Sequence, residues 1–65
     1  MRNRIKSIRK EKDMTLLDLS KKTGLSVGYL CHLEKGSRSN PSFEVMGKIS
    51  KALNKSIAEV FLLQI

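Results

Sequence analysis

Sixty-five residues provide one domain, with a hydrophobic core near the smallest that folds unaided. Thirteen Lys and Arg against six Asp and Glu leave a net charge of +7, which favours a polyanionic partner, nucleic acid or an acidic membrane surface; the plain alternative is a soluble protein that happens to be basic. One cysteine excludes an internal disulfide, and neither a signal peptide nor an apolar run of membrane length is present, so the expectation is a reduced, cytoplasmic protein.

Apolar residues recur at helical spacing throughout, without strand signals, repeats or low-complexity linkers. Residues 2–12 read as a basic amphipathic helix with Ile5 and Ile8 inward. Its cations read as a solvated face, with Arg2 and Arg4 the candidates for a phosphate. Residues 15–23 read as a second helix. Thr15 offers an N-cap hydroxyl, Asp18 stands where a capping box places its acid, and Gly24 supplies a left-handed stop. Ser26 then caps a third helix that Gly36 ends. On a wheel of about 100° per residue, Tyr29, Leu30 and Leu33 fall on one side of it. Val27, Gly28, Cys31 and His32 fall on the other, a face with no long Lys or Glu to solvate it. A surface helix left that bare usually awaits a partner.

The polar turn SRSNP follows, and Asn40-Pro41 forbids helix continuation. Ser42 caps a fourth helix over residues 43–53, with Phe43, Met46, Ile49 and Leu53 as the expected buried stripe. Gly47 costs that helix about 1 kcal/mol relative to alanine. Asn54 suits a left-handed stop, Ser56 and Glu59 form a capping box for a fifth helix, and Ile57, Val60 and Phe61 close the core. Leu62, Leu63 and Ile65 add more apolar surface than one short helix can turn inward, which suits a symmetric dimer contact. Completing the core, or leading into a further domain, are the alternatives.

Leu19, Ser20, Gly24, Leu25, Ser26, Tyr29, Leu30, Leu33, Glu34 and Gly36, followed by Asn40-Pro41-Ser42 and Ile49-Ser50-Lys51-Ala52-Leu53, carry a resemblance to the phage-repressor (Cro/Xre) helix-turn-helix family. It runs from about residue 5 to residue 61. The resemblance implies an all-α fold: a single compact five-helix lambda-repressor-like DNA-binding domain over residues 1–65, its helix-turn-helix at about 15–35. It also implies a structural pair between Arg9 and Glu34, for which a bidentate Arg is suited. Ser20 stands where relatives usually carry alanine, Leu16 where they carry a DNA-contacting glutamine, Leu17 at a normally polar position, and Gly47 where a larger apolar residue is usual.

The function the resemblance implies is sequence-specific binding of double-stranded DNA by a transcriptional repressor, as a homodimer on inverted half-sites, with the helix 27–34 in the major groove. Val27, Gly28, Cys31 and His32 are then the expected base contacts, Val27 towards a thymine methyl and His32 towards a purine N7 or O6. Thr15, Leu16, Ser26, Tyr29, Ser37, Arg38, Ser39, Asn40 and Ser42 are the expected backbone contacts, at Leu16 through the helix-start amides rather than the side chain. Lys21, Lys22 and Lys35 add general attraction. Leu62, Leu63 and Ile65 form the expected dimer contact.

Catalysis has no constellation here. The adjacent Cys31 and His32 point in different directions on a helix, fit no structural zinc site, and Gly24 and Gly28 lack the lysine and strand of a phosphate loop. No cofactor, metal, small-molecule ligand or membrane association is indicated. Two other classes stay open: a protein-interaction module on the same helices that has lost DNA binding, and the DNA-binding part of a larger regulator.

Overall fold

Side-chain caps set where most of the helices begin. The computed structural model describes residues 3–36 and 41–62. Its five helices are α1 (Ile5–Glu11), α2 (Leu16–Thr23), α3 (Val27–Lys35), α4 (Phe43–Leu53) and α5 (Ile57–Phe61). Among the described residues there is no strand. Thr15 and Ser56 each open a reciprocal capping box, with Asp18 and Glu59 returning a bond to the cap amide, while Ser26 and Ser42 accept from the Tyr29 and Val45 amides. At the other ends Gly24, Gly36 and Asn54 adopt the left-handed conformation, with φ of 77°, 75° and 57°.

The first helix is shorter than residues 2–12. Arg4, with φ −111° and ψ 19°, is not helical, and the Ile5 amide is taken by the Asn3 Oδ1 at 3.1 Å. The far end closes without a glycine. Asp13 takes φ 53°, Met14 N–H donates to the Arg9 carbonyl and Asp13 N–H to that of Lys10, which is a Schellman closure.

Every helix contributes to one core: Ile5 and Ile8 from α1, Leu19 from α2, Leu30 and Leu33 from α3, Ile49 and Leu53 from α4, Val60 and Phe61 from α5. In this packing α2 lies against α3 and α4, and α5 joins α4 to α1. Phe43 departs from the expected stripe, for it is 72% exposed. It shares a wheel side with Ser50 but stands on the first residue of α4, roughly 10 Å back along the axis at 1.5 Å per residue, past the edge of the core. The buried side of α4 is instead Ile49, Ser50 and Leu53, with Val45, Met46 and Ala52 half-buried. Ser50 brings a hydroxyl into that core with no hydrogen-bond partner.

Candidate nucleic-acid interface

The turn between α2 and α3 is built by short polar side chains. Gly24 N–H donates to the Ser20 carbonyl at 2.8 Å, and the Ser20 hydroxyl donates to the Leu25 carbonyl. Thr23 Oγ1 donates to the Leu19 carbonyl at 2.8 Å and accepts from Leu25 N–H at 3.2 Å. Both backbone groups of Leu25 are thereby satisfied, so the two helices meet at a fixed angle. Ser20 therefore acts through its hydroxyl, beyond merely being small. Thr23 is not singled out by the sequence, where its only signal is a hydroxyl one residue before the glycine stop.

That angle gives α3 two unlike sides. Leu30 and Leu33 are buried, and Tyr29 packs half-buried against the core. Val27, Gly28 and His32 are exposed and Cys31 is half-buried, so the four side by side form a low, nearly uncharged outer surface. At Gly28 an added Cβ would meet nothing within 4 Å, so the packing of this chain does not demand glycine there.

The inner end of α3 is held by an ion pair. Arg9 Nε donates to Glu34 Oε2 at 2.7 Å and Nη2 to Oε1 at 3.2 Å, while Nη1 donates to the Met14 carbonyl at 2.7 Å. Both side chains are nearly removed from solvent. The bond to Glu34 raises the Arg9 pKa further, against the opposing effect of burial. One guanidinium thus ties α1 to α3 and to the residue preceding the α2 cap. Asn3 reaches the same turn of α3, donating from Nδ2 to the Leu33 carbonyl at 2.8 Å. Its partner lies thirty residues away, which no local pattern reveals.

The acids of this region are consumed internally. Glu34 is engaged by Arg9, and the Asp18 carboxylate turns back onto Thr15 N–H at 2.9 Å. Asp18 is held below the usual carboxylate range by the Thr15 amide first and the Thr15 hydroxyl next, with Lys21 and Lys22 adding a smaller attraction. Lys21, Lys22 and Lys35 are left exposed, so the surface around the outer face of α3 is positive. A groove between α2 and α4, lined by Lys22, Thr23, Lys48, Lys51 and Ala52, extends that positive surface.

Thr15, Ser26 and Ser42 are exposed with their oxygens accepting cap bonds, and Leu16 is half-buried against the core while Leu17 is exposed. The expected contacts at Ser37, Arg38, Ser39 and Asn40, and the expected dimer residues Leu63 and Ile65, lie outside the described residues. Leu62 is described; it is 43% exposed and carries φ 54°. Among the described residues no three His, Cys, Asp or Glu side chains gather as a metal site, and no helix is long and apolar enough to cross a membrane.

A family model described as helix-turn-helix matches residues 5–60. The chain belongs to the Cro/Xre-type helix-turn-helix family. It is 39% identical over 54 residues to the HTH-type transcriptional regulator SinR of Bacillus subtilis, covering 83% of this chain and 49% of that protein. An uncharacterised HTH-type transcriptional regulator of Archaeoglobus fulgidus is 37% identical over 62 residues, 95% of this chain and 86% of that one. The immunity repressor protein of Bacillus phage phi105 is 37% identical over 57 residues, 88% of this chain and 39% of that one. The match thus spans about half the length of SinR. Within this helix-turn-helix, α2 and α3 are the paired helices, and Ser20, Thr23 and Gly24 form the joint between them.

Proposed function

We propose that this helix-turn-helix protein is a sequence-specific double-stranded DNA-binding transcriptional regulator, a repressor that acts as a homodimer in the cytoplasm and works by binding, without catalysis. The observation that carries this reading is the two-sided α3: one side locked by Leu30, Leu33 and the Arg9–Glu34 pair, the other exposed, low and almost uncharged within a positive surround. A rigid helix of that kind fits the major groove, where base edges are read by short-range contacts and phosphates lie to either side. Val27 meets a thymine methyl, His32 hydrogen-bonds a purine edge, Gly28 lets the groove floor come close, and Cys31 lies between them. Thr15, the amides at Leu16, Ser26, Tyr29, Ser37, Arg38, Ser39, Asn40 and Ser42 meet phosphates, which position the helix without carrying sequence information. The relatives named as a transcriptional regulator and an immunity repressor support the reading.

The test is a binding titration at several salt concentrations on a duplex selected from a random pool and on an unrelated duplex. Each phosphate neutralised contributes about −0.9 to the slope of log K against log salt. Arg38→Ala lowers affinity alike on both duplexes and flattens both slopes by about one phosphate. Equal affinity of the unaltered protein for the two duplexes at every salt concentration overturns sequence-specific recognition.

A further inference from the structure

We infer that Asn3 is a positioning residue for the recognition helix, joining the start of α1 to the last turn of α3 and so fixing how α3 is presented. The inference rests on the proposed DNA reading for its consequence, though not for its geometry.

An asparagine amide carries an acceptor and two donors, and Asn3 uses both kinds on different elements. Oδ1 accepts from Ile5 N–H at 3.1 Å, replacing the side-chain cap that Arg4 does not make. Nδ2 donates to the Leu33 carbonyl at 2.8 Å, a group at the α3 C-terminus that also accepts from Gly36 N–H at 3.1 Å. The next residue fastens the segment from behind, since Arg4 N–H donates to the Val60 carbonyl of α5 at 2.7 Å. Asn3 is therefore not a loose terminal side chain resting on α3. Its side-chain amide bonds α1 on one side and α3 on the other, and the backbone of the next residue, Arg4, is tied to α5.

Its neighbour along α3 is the residue held by Arg9. Leu33 and Glu34 are consecutive, and they are gripped from opposite ends of α1, by Asn3 just before the helix and by Arg9 near its close. The two grips reach α3 from separate points of α1 and, together with the packing of Leu30 and Leu33, fix its orientation. The lever is long enough to matter. Nine residues at 1.5 Å each make α3 about 13 Å long, so a tilt of roughly 5° about the last turn moves the Val27 end by about 1 Å. Hydrogen bonds to base edges do not survive displacements of that size, whereas phosphate attraction does.

If Asn3 only caps α1, serine and aspartate serve equally well, because both accept from a backbone N–H in this position. Neither can donate to the Leu33 carbonyl, serine being too short and ionised aspartate lacking a proton. The test therefore compares Asn3→Ser and Asn3→Asp with the unaltered protein, at a temperature where circular dichroism shows all three folded. On the selected duplex both variants bind about five-fold more weakly, the factor expected for one lost hydrogen bond, with Asn3→Asp the weaker, while affinity for unrelated DNA is unchanged. In the free proteins, amide hydrogen exchange at Lys35 and Gly36 is several-fold faster in both variants. Unchanged exchange overturns the hold on α3. Faster exchange with an undiminished preference for the selected duplex overturns the link to reading. If the unaltered protein shows no preference between duplexes, the DNA-reading proposal fails, and the exchange comparison alone still decides whether Asn3 holds the helix.

Discussion

Ser50 is the residue with the plainest internal cost. Its hydroxyl is buried on α4 without a partner, and a buried unsatisfied polar group costs about 1–3 kcal/mol. Ser50→Ala should raise stability by about 1 kcal/mol in a urea titration, with no change in denaturant slope. Two glycines offer a sharper comparison. Gly28 and Gly47 both lie inside helices, and at neither would a Cβ meet anything within 4 Å, so alanine should stabilise each by about 0.5–1 kcal/mol. Their consequences for DNA should differ. Gly28 belongs to the outer face of α3, where in the proposed complex a methyl group would separate the helix from the groove floor. Gly28→Ala should weaken binding to the selected duplex while Gly47→Ala leaves it unchanged; equal effects on binding would remove Gly28 from the interface.

At the scale of elements, the helix starts are electrostatic as well as geometric. Asp18 and Glu59 are each held below the usual carboxylate range, first by the cap residue's amide, then by its hydroxyl, with nearby cations adding to both. A carboxylate whose folded pKa is depressed contributes its stability at pH values above its unfolded pKa, and that contribution is lost as pH falls through the folded pKa. The midpoint of thermal unfolding should therefore hold steady from neutral pH to about pH 5 and fall below about pH 4. Asp18→Ala with Glu59→Ala should lower the midpoint at neutral pH and flatten its acid decline; an identical decline would place the acid sensitivity elsewhere. The same capping chemistry explains what was legible beforehand. Thr15, Asp18, Gly24, Ser26, Gly36, Ser42, Asn54, Ser56 and Glu59 act within three or four residues of themselves, so their spacing encodes the four helices α2 to α5, and the wheel of α3 separates its two sides. Contacts that cross the fold, and residues that depart from the usual local preferences, leave no such mark. The Asn3 bond to Leu33 spans thirty residues, Asp13 closes α1 in a conformation usually given to glycine, and Phe43 obeys the wheel but stands beyond the core's edge. The Arg9–Glu34 pair was expected from resemblance alone; its third bond, to the Met14 carbonyl, came only from the structure.

At the scale of the whole molecule, the proposed homodimer would place two copies on inverted half-sites and so multiply the discrimination of a domain small enough to read only a few base pairs. Leu62, exposed at the end of α5 beside Leu63 and Ile65 in sequence, is the surplus apolar surface proposed for that contact. Half-site centres should then lie about 10–10.5 base pairs apart. Leu63→Glu should reduce cooperative occupancy of the paired site and spare an isolated half-site; normal occupancy of the paired site, with a dimer still present in sedimentation, would move the interface elsewhere. The claim on which the rest depends is that the outer face of α3 reads bases. It is tested most directly by selecting bound sequences from a random duplex pool with the unaltered protein and with His32→Ala. The account predicts one preferred sequence for the unaltered protein and, for the variant, loss of preference at one base pair in each half-site, equivalent to roughly 1–3 kcal/mol, with the other positions retained. The same sequence selected with the same discrimination by both proteins would contradict it.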